Sequence, residues 1–434
     1  MKYYSTNKSV AAVSLKEAVT KGLADDKGLF MPERIEAFPA SFFETIHQLS
    51  FQEISFEVAR KFFGEDVPDA DLKALIDDTL NFDCPVVHVN DNIYSLELFH
   101  GPTLAFKDVG GRFMARLLAY FLKGNEEKVN VLVATSGDTG SAVANGFLGV
   151  PTIHVYVLYP KGLVSEIQEK QFTTLGQNIT AIEVDGTFDD CQRLVKTAFL
   201  DNQLKNGLTL TSANSINVAR FLPQAFYYFN AYARLREKGV TEDLVVSVPS
   251  GNFGNLTAGL FAKKMGLPIK RFIAANNEND IVYNYLKSGK YEPKASVATI
   301  ANAMDVGDPS NFARILDLYD HSHEAIQAEM NGYRYSNADI REVVREVYYK
   351  YAYLPDPHGA IGYKALEEDL QDGEVGVFLE TAHPAKFTET VEKIIGAGKV
   401  PLPEKLAEFM KGEKLSVPLS KEFDDFREFL LKHA

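Results

Sequence analysis

Apolar residues recur along this chain in two rhythms. In the first eighty residues the spacing is helical. Leu72, Leu75, Ile76 and Leu80 repeat at three- and four-residue intervals, which predicts a helix from Asp71 to Leu80 opened by Pro68-Asp69. Ser14-Leu-Lys-Glu17, Ser41-Phe-Phe-Glu44 and Ser50-Phe-Gln-Glu53 each carry a serine followed three residues later by glutamate. In that pattern the hydroxyl accepts from a free amide of the first turn and the carboxylate reaches back, so three more helix starts are expected. Asp83-Cys84-Pro85 closes the region with a turn. From about residue 86 the rhythm changes to short apolar runs, many of them β-branched: Val129 to Ala134, Ile153 to Leu158, Leu244 to Val248 and Val375 to Leu379. Each precedes a turn and a helical stretch, as strands buried on both faces of a parallel sheet do. Polar helices are expected after the turn at Pro401 to Pro403. The alternation predicts an α/β protein.

Composition narrows the picture. A chain of 434 residues is long enough for roughly two or three domains. With 46% hydrophobic and 24% charged residues it is globular in composition, and no internal repeat or low-complexity segment interrupts it. The net charge of −14 repels a polyanion, which argues against a nucleic-acid partner. Cys84 and Cys191 form no CxxC pair, so neither a disulfide framework nor a zinc site is indicated. No apolar run is long enough to span a membrane and MKYYSTNKSV lacks a signal core, so a soluble cytoplasmic protein is expected. His321 and His323, two positions apart, would face different sides of a helix and make a poor metal pair; no metal is expected.

Three segments carry candidate chemistry. Thr135-Ser-Gly-Asp-Thr-Gly140 and Ser250-Gly-Asn-Phe-Gly-Asn255 each follow a strand and precede a helix, where unpaired amides meet anions at the edge of an open α/β sheet. The first could hold a carboxylate, and the second a phosphate in a nest of successive amides; each could equally be a tight turn that uses glycine for its backbone freedom. The third is Glu97 to Asp108, in which Lys107 follows Leu104, Ala105 and Phe106. Apolar surroundings disfavour an ammonium ion and leave an amine able to attack a carbonyl and form a Schiff base, although a single lysine of this kind also occurs with its stem on apolar surface and its head in water.

Leu98-Phe-His-Gly-Pro-Thr-Leu-Ala-Phe-Lys-Asp108, Thr135 to Gly140, Gly251 to Asn255 and Thr381-Ala-His-Pro-Ala-Lys-Phe387 occur in an order that resembles the threonine synthases of the bacterial and fungal type. Gly28-Leu-Phe-Met-Pro32 and Asn302-Ala-Met-Asp-Val306 extend the resemblance over nearly the whole chain. It implies a pyridoxal 5'-phosphate enzyme of fold type II, similar to the tryptophan synthase β-subunit, with two open and mostly parallel α/β domains and a helical N-terminal region. The implied boundaries are 1–85 for that region, 86–107 with 241–434 for a large cofactor domain, and 108–240 for a small mobile domain that closes over the substrate.

The resemblance also implies roles. Lys107 would carry the cofactor and move protons as base and acid. Gly251, Asn252, Phe253 and Asn255 would hold the cofactor phosphate, and Thr381 would hydrogen-bond the pyridine nitrogen. Ser136, Gly137, Asp138 and Thr139 would receive the substrate carboxylate, with Asp138 expected to cap the following helix. The family substrate is O-phosphohomoserine, and Ser212 to Arg220 resembles its phosphate-binding segment, so Ser215 and Arg220 would anchor that group. Phe99, Phe106 and Phe253 could wall the ring; His100 and His383 would shape the site, and His358 is read only as a turn residue. The expected reaction eliminates phosphate at Cγ and adds water at Cβ to give L-threonine. A related dehydratase or O-phospho-lyase, releasing a 2-oxo acid, and a catalytically silent binding protein are the alternatives. A monomer is expected.

Overall fold

The computed structural model describes residues 1–124 and 128–434, which form two compact units. One comprises Met1–Met31, Lys107–Arg220 and Leu402–Ala434; the other comprises Pro32–Phe106 and Phe221–Pro401.

The first unit is built on a five-stranded, wholly parallel sheet ordered Val417–Ser420, Ile179–Asp185, Ile153–Pro160, Val129–Ala134, Thr209–Ser212. Val129–Ala134 is buried at every position, which is why it shows no apolar–polar alternation and only Asn130 interrupts its apolar side chains. Helix Lys107–Leu122 crosses Asp138–Phe147 at close range. A Cβ on Gly111 would lie 2.8 Å from the Ala142 carbonyl oxygen, and one on Gly146 would lie 2.9 Å from the Gly111 carbonyl carbon. Glycine here permits backbone to approach backbone.

The second unit holds a six-stranded sheet ordered Met330–Arg334, Arg271–Asn276, Asp243–Pro249, Glu374–Glu380, Ile93–Glu97, Val86–Asn90. All its neighbours are parallel except the last pair, joined as a hairpin at the edge. The predicted strands at 129–134, 153–158, 244–248 and 375–379 all appear, three of them extended by one or two residues.

The boundaries depart from the expected ones. The N-terminal eighty-five residues are divided between the units and are not wholly helical: Lys2–Ser5 lies between Val13–Ser14 and Phe30–Pro32 in a small sheet. Helix Leu15–Lys21 joins the first unit because the Val19 carbonyl accepts from Thr211 Oγ1 and Asn217 Nδ2. Residues 402–434 do not stay with the large domain. Val417–Ser420 adds an edge strand to Ile179–Asp185, and Phe426 and Leu430 enter the core with Ile182, Leu194 and Leu204. Helix Ala225–Glu237 lies in the second unit, against Phe51–Phe63; Arg234 donates to the Leu49 carbonyl and Asn230 to that of Cys84. Ser14 and Ser50 cap their helices, and Ser50 forms the full reciprocal pair with Glu53. Ser41 does not, because Pro39 occupies the cap position and Ser41 lies inside the helix Ala40–Thr45.

Candidate functional site

In the second unit three motifs leave the carboxyl ends of three adjacent parallel strands: Ser250 to Asn255 after Asp243–Pro249, Thr381 to Phe387 after Glu374–Glu380, and Leu98 to Phe106 after Ile93–Glu97. That edge is where open α/β sheets bind ligands. The last two segments are bonded to each other. Ala105 and Ala382 form an antiparallel bridge, the Phe106 amide donates to the Thr381 carbonyl at 2.8 Å, and the His383 amide to the Leu104 carbonyl at 3.1 Å. Leu104 takes a left-handed conformation, φ 56°, to make the turn. Tyr227 Oη donates to the Phe106 carbonyl, so both backbone groups of Phe106 are held. Lys107 follows it directly, as the first residue of Lys107–Leu122.

The loop after Asp243–Pro249 is braced from within. Asn255 Oδ1 accepts from Ser250 Oγ at 2.5 Å and from the Leu256 amide at 2.9 Å, while its Nδ2 donates to the Pro249 carbonyl at 3.1 Å. Asn252 Oδ1 accepts from the Ser310 amide at 2.6 Å. These side-chain amides therefore hold the shape of the loop. Phe253, buried with φ 60°, turns the chain into helix Gly254–Lys264, whose first amides, those of Gly254 and Asn255, have no acceptor in a preceding turn. A Cβ on Gly251 would lie 2.7 Å from the Ala303 carbonyl oxygen and 2.9 Å from Met304 Cα, so only glycine fits.

Thr381 is buried, directly after the strand Glu374–Glu380. Beside it, Glu380 is fully buried. Burial, then the carboxylates of Asp356 and Glu97, push its pKa well above the ordinary carboxylate range. Glu97 accepts from Tyr353 Oη at 3.2 Å and contacts His100 Nε2 at 2.8 Å. Phe99 lies between His100 and His383, with ring centroids 4.8 and 5.1 Å away. His383 Nδ1 accepts from the Ala385 amide, and burial, reinforced by His100, lowers its pKa to about 4. Lys386, the other lysine of these motifs, is buried with Nζ 2.8 Å from the Thr103 carbonyl oxygen, a brace for the turn that leads to Lys107.

The first unit repeats the arrangement. Thr135 to Gly140 and Ala213 to Arg220 leave the carboxyl ends of neighbouring parallel strands, and the Asn214 side chain ties them by donating to the Ala134 carbonyl at 3.0 Å. Thr135 Oγ1 accepts from the amides of Gly137 and Gly140 at 2.9 and 2.8 Å. Gly137, φ 145°, is the cap residue; Asp138, expected as the cap, is instead the first residue of the helix, and its carboxylate accepts from Gln168 Nε2 at 2.8 Å. Ser136 and Thr139 are partly exposed at the same turn, and Ser215 partly exposed at the other. Arg220 is buried and donates to the Ala213 carbonyl. A Cβ on Gly110 would lie 2.6 Å from the Arg220 carbonyl oxygen and 3.1 Å from its Nε.

Sequence reasoning missed Tyr227, Tyr353, Asp356 and Glu380. Only Asp356 carried a signal, in Asp356-Pro-His-Gly359, where its carboxylate caps helix Pro357–Asp369. Among the described residues no group of three His, Cys, Asp or Glu could hold a metal, and no helix is long and apolar enough to cross a membrane.

The donor set fits a phosphorylated pyridine aldehyde. A glycine cradle and a helix N-terminus suit the phosphate, a threonine hydroxyl just past a strand end suits a ring nitrogen, and a lysine on a fixed backbone suits the aldehyde. The profile of the pyridoxal-phosphate dependent enzymes matches residues 83–380, that of the threonine synthase N terminus residues 2–80, and that of the threonine synthase C-terminal region residues 359–430. The chain is 46% identical to threonine synthase of Serratia marcescens over 431 residues, 99% of either chain. The crystal structure of threonine synthase from Escherichia coli superimposes with a TM-score of 0.94 at 44% identity, with full coverage of both chains. That of pyridoxal-phosphate-bound threonine synthase from Brucella melitensis does so with 0.91 at 35% identity, covering 100% of this chain and 99% of that one. Full-length identity, three consecutive family segments and a site built for this cofactor agree: the chain belongs to the threonine synthase family of pyridoxal-phosphate-dependent enzymes.

Proposed function

We propose that the chain converts O-phosphohomoserine and water to threonine and phosphate, with Lys107 as the residue that carries the cofactor and moves the protons. The observation that carries this reading is the pairing of Leu104–Phe106 with Thr381–His383, which sets the lysine one residue from the backbone partner of Thr381. The phosphate of the cofactor would rest on the amides of Gly251, Asn252, Phe253 and Asn255, and Thr381 would offer its hydroxyl to the ring nitrogen. When bound, the cofactor withdraws electrons from the substrate chain and so acidifies its hydrogens.

The protein residues then divide the work. Ser136, Gly137 and Thr139 would receive the substrate carboxylate on hydroxyls and amides; Asp138, bonded to Gln168, braces that turn. Arg220 and Ser215 would hold the substrate phosphate, the arginine through charge-assisted bonds. The Lys107 amine takes the proton from Cα; a proton leaves Cβ as the Cγ–O bond breaks with its electron pair leaving on phosphate; a proton is added at Cγ; water gives its hydroxyl to Cβ and its proton to the phosphate; and Lys107 returns a proton to Cα. Holding Phe106 at both backbone groups fixes the point from which the Lys107 side chain reaches for both tasks.

The reading includes a monomer. Large exposed apolar side chains such as Leu163, Leu200, Val297 and Tyr349 come from separate segments, not from one run of sequence. Light scattering tests that part. The activity is tested by incubating the holoenzyme with O-phosphohomoserine and following products. Equimolar threonine and phosphate are expected; a 2-oxo acid with ammonia would place the chain with the dehydratases, and no turnover with the silent binders.

A further inference from the structure

A buried chain of polar groups runs behind the Gly251 turn and takes no part in the chemistry above. Asp356, His358 and Glu380 are each at most 2% exposed. Glu380 accepts from the Asp356 amide. Asp356 uses one carboxylate oxygen to accept from the Gly359 amide at 2.6 Å and the other to contact His358 Nδ1 at 2.6 Å. The opposite ring nitrogen, His358 Nε2, accepts from the Ala303 amide at 3.1 Å. An acceptor nitrogen carries no proton, so the proton of this ring sits on Nδ1, directed to Asp356.

The Ala303 turn is the one that closes over Gly251, with its carbonyl oxygen at 2.7 Å from where a Cβ would lie. Its other end is held separately: Asp305 Oδ1 accepts from Thr299 Oγ1 at 2.7 Å, Asn277 Nδ2 at 2.8 Å and Asn279 Nδ2 at 3.1 Å. His358 is thus the side chain that fixes the middle of residues 301–305, at the point where they press on the glycine. Because both sides of that contact are backbone, a shift at Ala303 passes directly to Gly251.

We infer that His358, oriented by Asp356, is a positioning residue for the cofactor phosphate: it holds the Ala303 turn against Gly251 and so sets the spacing of the amides that receive the phosphate. The inference rests on the proposed role of Gly251 to Asn255. It gives a buried imidazole, which would be costly to bury without partners, a task in the fold.

The test compares pyridoxal phosphate with pyridoxal, which lacks the phosphate, by titrating each into the apoprotein. His358→Leu leaves the Ala303 amide without its acceptor. It should raise the dissociation constant for pyridoxal phosphate at least roughly tenfold while that for pyridoxal stays within about twofold. His358→Gln returns an acceptor near the Nε2 position and should recover most of the affinity. His358→Asn returns only a donor towards Asp356 and should not. If the leucine variant does not fold, the Gln and Asn variants carry the comparison. Equal loss for both ligands, or rescue by Asn as complete as by Gln, would overturn the role of His358. A wild-type protein that binds pyridoxal as tightly as pyridoxal phosphate would instead overturn the phosphate role of Gly251 to Asn255.

Discussion

Gly110→Ala tests whether Arg220 anchors the substrate, because a single methyl group would push on that arginine and on little else. The added Cβ would sit 2.6 Å from the Arg220 carbonyl oxygen, and restoring an ordinary contact of 3.4 Å requires a displacement of about 0.8 Å. The obstacle is backbone and cannot rotate aside. Two effects on stability oppose each other: overpacking costs about 1–3 kcal/mol, and alanine is favoured over glycine inside a helix by about 1 kcal/mol. The net loss should therefore be about 0–2 kcal/mol, small enough to leave the protein folded. Activity should suffer more, since a misplacement near 1 Å at a positioning group can cost on the order of a hundredfold. A fall of roughly 10- to 100-fold in kcat/KM for O-phosphohomoserine is expected, measured as phosphate release, with pyridoxal phosphate affinity unchanged. In an Arg220→Leu background the same change should cost less than about threefold, because the two substitutions remove one interaction. Undiminished kcat/KM in Gly110→Ala, or full additivity with Arg220→Leu, would refute the anchor role of Arg220.

Arg220→Leu alone should weaken use of the phosphorylated substrate by at least roughly tenfold, since it removes charge-assisted bonds worth about 1.5–3 kcal/mol each, and titration of the cofactor should give an unaltered affinity. Lys107→Ala should abolish both the visible absorbance of the bound cofactor, normally bleached by borohydride, and threonine formation; retained colour would point to another lysine. Thr381→Asp should raise the yield of 2-oxo acid relative to threonine, as a carboxylate at the ring nitrogen favours its protonated form, and an unchanged product ratio would mean Thr381 does not face the ring. Glu374 reports on stability. Its bidentate bond to Arg271, at 2.6 and 2.7 Å, holds its pKa down to about 2 despite burial, so it stabilises the fold above pH 4.5, and that contribution is lost as pH falls towards 2. Denaturation of Glu374→Gln should show a loss of about 2–3 kcal/mol at neutral pH that shrinks through this acid range.

The strands and the turns after them were legible because a strand buried on both faces is mostly apolar, as Val129–Ala134 is at every position but Asn130, and because glycine marks where backbone meets backbone. Lys107 stood out locally by its apolar neighbours, but the role proposed for it, and Thr381 altogether, came only through resemblance, since their neighbourhood depends on a bridge between residues 105 and 382 that no local spacing encodes. Asp138 was misread as a cap because a carboxylate at a helix start usually is one; here Gly137 adopts a conformation closed to side chains and takes that position. Asp356-Pro-His-Gly359 reads locally as a turn, and its function as a brace requires partners at Ala303 and Glu380. The short strand Val417–Ser420, partly exposed and without alternation, gives no sign that it pairs with residues 182–185.

That late strand has a consequence for how the protein is made. Ribosomal synthesis delivers the partners Ile182 and Leu194 more than two hundred residues before Phe426 and Leu430, which complete their core. Until Val417–Ser420 and the helix carrying Phe426 and Leu430 have emerged, the Ile179–Asp185 edge of the sheet and an apolar surface remain uncovered, a state open to chaperones and to aggregation. A nonsense codon near residue 415 would therefore remove no residue of the proposed site and still leave that unit without the strand Val417–Ser420 and without Phe426 and Leu430 in its core.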